Sequence, residues 1–278
     1  MDLSIIIAHY DPGNHPSCIE SFHNTLKQIE LQKEDYEIEV IIADDGSVTH
    51  QNIQSLGSPL TDSDEQIIYQ LKGNTLSNWK HENNFNYSSI SHWLYLPKIK
   101  PMMSKARIGN AAVTMASSEN LFFLDDDNYF ISNNSIETII KLLKKYQLVF
   151  GQIQDNNGRL RSYSSNRVQG TTFGIVKHQI EEAGLFGEWT EKVSCGIDSD
   201  LWYKLYQHFQ NNTHLQACYT SGIQTLDSCS KRWKTHIDTF FRNYALKKRF
   251  KEIHGCSNYR SIINNPSRIK PNWIIDLT

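Results

Sequence analysis

Residues 3–8 have the sequence LSIIIA, and this run decides the fold class. Consecutive β-branched apolar residues are typical of a strand buried on both faces of a parallel sheet. From residue 18 to residue 29 the apolar side chains recur at helical spacing, and a second apolar run, VIIA, occupies residues 40–43. This order predicts a strand, a helix and a second, parallel strand joined by a right-handed crossover.

The alternation of strands and helices continues downstream. Residues 105–116 have a helical pattern and precede the apolar run LFFL at 121–124, and residues 135–145 form another amphipathic pattern. We therefore expect an α/β fold with a mainly parallel central sheet flanked by helices. Residues 73–101 are polar, aromatic and irregular, and we expect a long surface excursion there.

The C-terminal part has a looser pattern. A strand is expected at 171–176, and helices are expected at 201–209 and 236–253. The simplest division is one catalytic domain over residues 1–215, followed by a C-terminal helical appendage, residues 216–278, packed on it.

Composition narrows the class of protein. The 278 residues carry a formal net charge of -2, which gives no electrostatic support for binding nucleic acid. No apolar run approaches the ~20 residues that a membrane-spanning helix needs. The five cysteines are widely spaced and form no CxxC pair, so the cysteines indicate neither a disulfide framework nor a zinc site, and we expect a cytoplasmic protein.

Acidic residues follow the predicted strands. Residues 44–45 and 125–127 come directly after the second and third apolar runs and are entirely aspartate, and residues 10–11, Tyr-Asp, follow the first run after one histidine. Carboxyl ends of parallel strands meet at one edge of a sheet, where ligands bind. Because alternate residues of an extended chain point the same way, we expect Asp125 and Asp127 to share a divalent ion, Mn²⁺ or Mg²⁺, while the middle carboxylate faces elsewhere.

The residues alone leave simpler interpretations open for these acids. The DDDN sequence at 125–128 can be a solvated turn or an acidic cap before the next helix, and DDGS at 44–47 can be a plain β-turn. Their shared position at strand ends favours the ligand-binding interpretation.

An ordered series of motifs resembles the family 2 glycosyltransferases. The motifs are SIIIAHYD at 4–11, VIIADDGS at 40–47, LDDD at 124–127 and GIDSDL at 196–201. The resemblance covers residues 3–209, and it implies an inverting enzyme with the GT-A fold, which is the fold of many nucleotide-diphosphate-sugar transferases.

The resemblance also implies contacts with the sugar donor. Ala8 and Tyr10 correspond to positions that contact the nucleoside, and Asp45 corresponds to an acid that accepts a hydrogen bond from the base. Asp125 and Asp126 are implied as further donor contacts beside the metal.

An Arg-Asn pair usually precedes the metal motif in this family, and the corresponding residues here are Gly109 and Asn110. We expect Asn110 and the nearby Arg107 to reach the donor diphosphate. A solvated helix face is the alternative for the arginine.

The catalytic base of the family is the aspartate of a Glu-Asp pair, which here is replaced by Ile197-Asp198. The resemblance assigns the base to Asp198, which would take the proton of the acceptor hydroxyl, with Asp200 in reserve. As an alternative, both acids can cap the following helix.

Two weaker assignments complete the predicted site. Trp189, in a glycine-rich segment, is expected to stack on an acceptor sugar, or else to pack in the core. His236 is expected to complete the metal shell, with a surface or packing histidine as the alternative.

Residues 231–251 carry eight Lys and Arg residues against one acid, with aromatic residues between them. A basic helix of this kind suits the surface of an anionic membrane, where a lipid-linked acceptor would lie. The alternative is a helix that packs its aromatic residues on the domain and solvates its charges.

The sequence thus predicts an inverting, metal-assisted transfer of a sugar from a nucleotide-diphosphate sugar, a uridine-diphosphate sugar by resemblance. The acceptor would be a saccharide or lipid-linked saccharide in surface polysaccharide synthesis, at the inner face of the membrane. A catalytically silent saccharide-binding module and a sugar nucleotidyltransferase are the rival hypotheses. The latter would normally have a glycine-rich phosphate loop after the first strand, and residues 11–17 form a poor one.

Overall fold

A computed structural model describes residues 1–33, 35–60, 66–98, 105–161, 169–228, 236–257 and 273–278, with backbone alone for 236–242. Within these ranges the strands form one eleven-stranded sheet. The strands are β1 (Leu3–His9), β2 (Ile38–Asp44), β3 (Ser58–Pro59), β4 (Tyr69–Leu71), β5 (Ile90–Tyr95), β6 (Asn120–Asp125), β7 (Asn128–Phe130), β8 (Leu148–Asp155), β9 (Phe173–Val176), β10 (Ala217–Asp227) and β11 (Ile274–Asp276).

The predicted parallel unit forms the middle of this sheet. Strand β1 lies between β2 and β6 and is parallel to both, so that Ala8 is level with Ala43 on one side and Asp125 on the other. Strand β5 extends the parallel set beyond β2, whereas β9 is antiparallel between β6 and β8. The carboxyl ends of β1, β2 and β6 therefore meet at one edge, as the sequence predicted.

Helices cover both faces of the sheet. The helices are α1 (Pro16–Gln32), α2 (Ile53–Leu56), α3 (Gly73–Glu82), α4 (Lys105–Met115), α5 (Ser135–Leu143), α6 (Lys177–Glu182), α7 (Ile197–Asn211) and α8 (His236–His254). Side chains of α1, α3 and α5 pack against one face, and those of α4, α6, α7 and α8 pack against the other. Alternation along the strands divides the core accordingly, because Ile5 and Ile7 face the first layer while Ile6 faces the second.

Residues 73–101 differ from the surface excursion that we expected, since they contain α3 and the central strand β5. The side chain of Trp93 in β5 is fully buried. His92 interrupts the apolar pattern of this strand, but its Nδ1 lies 2.8 Å from the Nε2 amide nitrogen of Gln70 on β4. A partner on the neighbouring strand lets a polar residue occupy the sheet. The hydrophobic pattern of a single segment does not show such a partner.

The segment after residue 215 also differs from a purely helical appendage. Its first element, β10, is parallel to β8 and joins the central sheet, and β11 pairs with β10 in turn. A register shift between Thr220 and Gln224 interrupts the alternation of side chains along β10, so the sequence does not show the regular pattern of a strand. Helix α8 packs on the sheet-bound α7 layer through Phe250, which is fully buried.

Candidate active site

A pocket of about 260 Å³ lies at the carboxyl ends of β6 and β10, beside the first turn of α7. Of the residues predicted for the site, the pocket brings together Asp125, Asp127 and Asp198. It is called the acidic pocket below, and its walls are formed by Asp125, Asp127, Asn128, Ile153, Arg161, Gln169, Gly170, Thr171, Asp198 and Asp227.

The three adjacent aspartates do not share one environment. Asp125 and Asp127 are half-buried and line the acidic pocket, whereas Asp126 is 1% exposed and does not line it. The Oδ2 of Asp126 lies 2.6 Å from His9 Nδ1 and accepts the backbone N–H of Tyr10 at 3.1 Å. The expected donor contact of Asp126 is therefore corrected, because its carboxylate is directed into the core and held there.

Asp125 faces a cation on α4. Lys105 donates a hydrogen bond from its Nζ to Asp125 Oδ1, and the backbone N–H of Asp125 donates to Thr171 Oγ1 at 2.8 Å. Burial, with smaller contributions from Asp198 and Asp126, raises the pKa of Asp125 despite the nearby ammonium group. Burial also works against the charge of Lys105, yet Asp125 and Asp198 hold its pKa above the ordinary lysine value. The local surplus of negative charge is therefore only partly compensated.

Asp198 reaches the acidic pocket from the first turn of α7, where it is half-buried. The backbone at Gly170 lies directly against it. A Cβ atom at position 170 would come within 2.2 Å of Asp198 Oδ1, a distance that real atoms do not tolerate. Glycine at 170 is therefore what leaves room for this carboxylate.

Two charged pocket residues were missed by the sequence analysis. Arg161 lies between Asp155, whose Oδ1 is 2.6 Å from the guanidinium Nε, and Asp227, whose Oδ2 accepts a hydrogen bond from Nη2. Asp227 is the last residue of β10, which pairs with β7 directly opposite Asn128. The position of Asp227 at the end of a strand could have indicated a site residue, as it did for the other aspartates. The sequence analysis did not predict β10, so this signal was not recognised.

The predicted nucleoside contacts lie together at the ends of β1 and β2. The Nζ of Lys98 is 3.4 Å from the ring centroid of Tyr10 and 2.9 Å from Asp45 Oδ2. Gly46, at a φ of +77°, allows this approach, since a Cβ there would lie 2.7 Å from the backbone nitrogen of Lys98. The structure thus places Tyr10 and Asp45 around one lysine that the sequence analysis did not single out.

Asp44 has a different environment from its neighbour Asp45. It is fully buried, its Oδ1 accepts the backbone N–H of Ser47 at 2.8 Å, and its Oδ2 lies 2.8 Å from His50 Nδ1 and accepts the indole N–H of Trp93 at 3.1 Å. Burial alone would raise the pKa of Asp44, but its hydrogen bond with His50 and the charge of that histidine hold the pKa below the usual value.

The side chains of Arg107 and Asn110 bind other segments of the protein and do not line the acidic pocket. The guanidinium of Arg107 is 3.7 Å from carboxylates of Glu188 and Glu191. The amide of Asn110 donates to the carbonyl of Phe186 at 3.0 Å and accepts its N–H at 2.9 Å. Both residues thus tie α4 to residues 186–191, and their contact with the donor diphosphate stays a prediction.

Glu191 has the properties of a titrating group, although it lies outside the acidic pocket. Burial raises its pKa to about 7, while the backbone N–H and the charge of Arg107 oppose that rise. The Arg107 backbone donates to Glu191 Oε1 at 2.9 Å.

Trp189 is half-buried and is held by contacts within the protein. Its indole N–H donates to Asp200 Oδ1 at 2.9 Å, and its ring packs against Phe250 of α8. Asp200 is fully buried and also lies 2.7 Å from both His254 Nε2 and Lys204 Nζ. Burial opposes the charge of Asp200, but His254 and Lys204 hold its pKa below the ordinary value. The core alternative for Trp189 therefore describes its observed contacts.

The reserve base Asp200 is likewise a structural anchor, because its carboxylate joins the segment around Trp189 to α7 and α8. His236 is the first residue of α8, and its side chain lies outside the described part of the structure. Its role in binding metal stays a prediction.

From residue 243 onward, helix α8 presents its charged side chains to solvent. Lys247, Lys248 and Lys251 are exposed, and Tyr244 is 69% exposed, whereas Phe250 is buried. None of the helices in the described ranges has the length and apolar character needed to cross a bilayer. The described part of the helix thus packs Phe250 on the domain and leaves a basic outer face.

Comparison of the whole chain with known proteins and solved structures identifies its fold. Neither a protein-family model nor a curated protein sequence matches the chain. The structure is similar to that of S. aureus TarS 1–349, with a TM-score of 0.51 and 14% identity over 90% of this chain and 66% of that one. The same protein in complex with UDP-GlcNAc gives a TM-score of 0.53 at 14% identity, over 92% of this chain and 67% of that one.

A third similar structure is the mannosyltransferase PcManGT from Pyrobaculum calidifontis in complex with GDP-Man and Mn²⁺. Its TM-score is 0.50 at 13% identity, over 91% of this chain and 61% of that one. The chain therefore has a glycosyltransferase fold, which confirms the predicted fold class, and it spans about two-thirds of the length of these structures.

Proposed function

We propose that this protein is an inverting glycosyltransferase. It moves a sugar from a nucleotide-diphosphate sugar, with a uridine-diphosphate sugar as the first choice, to a saccharide or lipid-linked saccharide acceptor in surface polysaccharide synthesis. Two of the similar structures hold UDP-GlcNAc and GDP-Man, which supports a nucleotide-sugar donor on this fold.

One observation carries the proposal. Asp125 and Asp127 at the end of β6 line the same pocket as Asp198 at the start of α7. These two elements are far apart in sequence, and the fold brings their carboxylates to the edge of the sheet where ligands of parallel α/β proteins bind. A metal-binding pair and a separate carboxylate are the groups that the proposed reaction needs.

The chemistry of the acidic pocket fits Mn²⁺ or Mg²⁺. Four aspartates line it, and Arg161 is the only cationic side chain among the described lining residues. Carboxylate oxygens are hard ligands, and such ions keep open positions for phosphate oxygens. Asp125 and Asp127 would hold the ion, which supplies Lewis-acid stabilisation of the departing diphosphate when bound.

Tyr10 and Asp45 would form the nucleoside end of the donor site. They lie at the ends of β1 and β2 and share contact with Lys98. A tyrosine ring offers a face for stacking on a base, and a carboxylate can accept a hydrogen bond from a base N–H. Ala8, in register with Asp125, would line the path from this end to the acidic pocket.

Asp198 would act as the base. The acceptor oxygen forms a bond with the anomeric carbon while the bond from that carbon to the diphosphate oxygen breaks, and the hydroxyl proton passes to the Asp198 carboxylate. Gly170 leaves this carboxylate its position in the pocket. The attack from the face opposite the diphosphate inverts the anomeric configuration.

The exposed basic face of α8 would meet an anionic membrane that carries a lipid-linked acceptor. Lysines near such a surface contribute to binding additively, and their effect falls with ionic strength. Co-sedimentation with anionic but not zwitterionic vesicles, lost when Lys247, Lys248 and Lys251 are changed to Gln together, is the expected result. Equal binding to both vesicle types would exclude this contact.

The direct test is turnover by the purified chain on a panel of nucleotide sugars, with Mn²⁺ or EDTA, measured as release of the nucleoside diphosphate. We expect metal-dependent release from one donor. Release of pyrophosphate would indicate nucleotidyl transfer instead. Absence of both turnover and metal-dependent donor binding across the panel would overturn the proposal.

A further inference from the structure

A second group of potential metal ligands lies behind the acidic pocket. His9 at the end of β1, Asp44 at the end of β2 and His50 offer ligand atoms that all lie within 4.8 Å of one another. All three side chains are buried, with exposures of 0%, 0% and 3%. None of them lines the acidic pocket. This set is called the buried histidine cluster below.

One ligand atom in this cluster has no hydrogen-bond partner. The Nε2 of His9 is buried, and no polar group in the described structure bonds to it. The other ring nitrogen, Nδ1, lies 2.6 Å from the carboxylate of Asp126. A carboxylate on one nitrogen fixes the imidazole so that the opposite nitrogen carries the lone pair, and metal-bound histidines in proteins usually have such a carboxylate or carbonyl behind them.

The charges of the cluster also favour a divalent ion. Asp44 and Asp126 are both buried carboxylates, and positive charge beside them offsets the cost of burying their two negative charges. Two protonated histidines would supply these charges, but His9 would then bury an N–H at Nε2 without an acceptor. One divalent ion with two neutral histidines supplies the same charge and uses that nitrogen.

The ligand set indicates the type of ion. Two imidazole nitrogens and one carboxylate oxygen suit Zn²⁺, which commonly binds through three protein ligands and keeps one further position. Neighbouring ligand atoms around tetrahedral zinc are about 3.3 Å apart. His50 Nδ1 and Asp44 Oδ2 are 2.8 Å apart, and all three ligand atoms lie within 4.8 Å of one another, so that modest side-chain movements would bring the set to this spacing.

We propose that His9, Asp44 and His50 form a zinc site that is separate from the Mn²⁺ or Mg²⁺ position of the acidic pocket. Bound zinc would hold His9, and through it Asp126, the residue between Asp125 and Asp127. The site would therefore fix the turn that carries both pocket carboxylates, from the side opposite the substrate.

The test is metal binding by the full chain after removal of metals with a chelator. Titration with Co²⁺, a spectroscopic substitute for zinc, is expected to give one equivalent with the visible absorption of a tetrahedral site, and added Zn²⁺ should abolish that absorption. His9→Gln and His50→Gln should lose it, because glutamine can still donate to the carboxylates but replaces the imidazole ligand. His23→Gln is the matched control, since His23 stacks on Phe85 nearby without belonging to the cluster.

Asp127→Asn separates the two metal sites and does not depend on any transferase activity. It should keep the Co²⁺ absorption if the buried histidine cluster is the site. Loss of absorption in Asp127→Asn with retention in His9→Gln would assign the metal to the acidic pocket and overturn the proposal. If the histidine variants fail to fold, the Asp127→Asn protein decides alone, because no tetrahedral Co²⁺ signal there would also overturn it.

Discussion

Neighbouring aspartates of this protein belong to two contrasting kinds of region, the acidic pocket and separate polar networks buried in the core. Members of the first region are half-buried and face an open cavity, whereas members of the second are fully or almost fully buried and bonded to histidine, lysine, tryptophan or backbone groups. The neighbouring acids that line the pocket are Asp125, Asp127 and Asp198, with Asp227 as a fourth pocket acid, and the buried acids are Asp44, Asp126 and Asp200.

Local geometry explains the contrast. Asp126 and Asp127 form the turn between β6 and β7, and this turn directs Asp126 into the core while Asp125 and Asp127 line the pocket. In an α-helix each residue rotates by about 100°, so that Asp198 and Asp200 lie on nearly opposite faces of α7. A run of acids therefore does not define a site by itself, and side-chain direction decides which acids can act on a substrate and which stabilise the fold.

The contrast predicts that changes in the acidic pocket affect activity and leave folding intact. The largest effect is expected for Asp198→Asn, which removes the proposed base. General base catalysis contributes on the order of 10² to 10⁴ in rate, so turnover should fall by about 1000-fold while donor binding is kept. Nucleoside diphosphate release and donor titration measure the two quantities, and Glu252→Gln on the exposed face of α8 is the control. Lost donor affinity would show that Asp198 has a different role.

Asp127→Asn should have the next largest effect on activity. Loss of one carboxylate from the proposed metal site should remove about 3 kcal/mol of charge stabilisation, which corresponds to a fall of about 100-fold in turnover. Metal-assisted donor binding should fall as well, in contrast to Asp198→Asn. Isothermal titration of donor with and without Mn²⁺ measures this difference, and equal affinity in wild type and variant would remove the metal site from the mechanism.

A change at a buried aspartate should instead lower stability and leave donor affinity nearly unchanged. Asp200→Asn breaks ion pairs with Lys204 and His254, and we expect the free energy of unfolding to fall by about 3 kcal/mol. Urea unfolding at neutral pH measures the loss. Donor affinity measured on the remaining folded protein should change little, and a folded variant of normal stability would show that the anchor is dispensable.

A smaller effect on activity is expected for Gly170→Ala. The added methyl group would collide with the Asp198 carboxylate and move it within the pocket. A displaced catalytic group lowers rate, and we expect a fall of about 10-fold in turnover with normal donor affinity. Gly158→Ala is the control, because a Cβ at that position meets no atom within 4 Å, although its φ of +82° adds backbone strain. Unchanged turnover in Gly170→Ala would contradict a close fit around Asp198.

The smallest expected effect is a change with pH in the stabilisation that ionised Asp200 provides. The folded pKa of Asp200 lies below its ordinary value of 3.8, so its stabilisation is fully present above that pH and is lost as the pH falls through the folded pKa. The difference in unfolding free energy between wild type and Asp200→Asn should therefore shrink below about pH 4. A difference that stays constant between pH 7 and pH 3 would contradict the assignment.

Much of the fold was predictable because its central strands carry continuous apolar runs. β1, β2 and β6 were predicted with the edge at which their acids meet, and the structure has them in that arrangement. By contrast, β5 and β10 were missed. Polar residues with cross-strand partners interrupt the pattern of the first, and a register shift interrupts that of the second.

The candidate site shows the same distinction between features that are local in the sequence and features that depend on distant elements. The sequence by itself determined which segments carry the chemistry, because strand ends and helix starts are local features of the chain. Only the tertiary structure decided that Asp126, Arg107, Asn110 and Trp189 bind other parts of the protein, that Asp227 and Arg161 enter the acidic pocket, and that His9 lies beside His50. The physical reason is that burial and partners are set by elements distant in sequence, which no local pattern records.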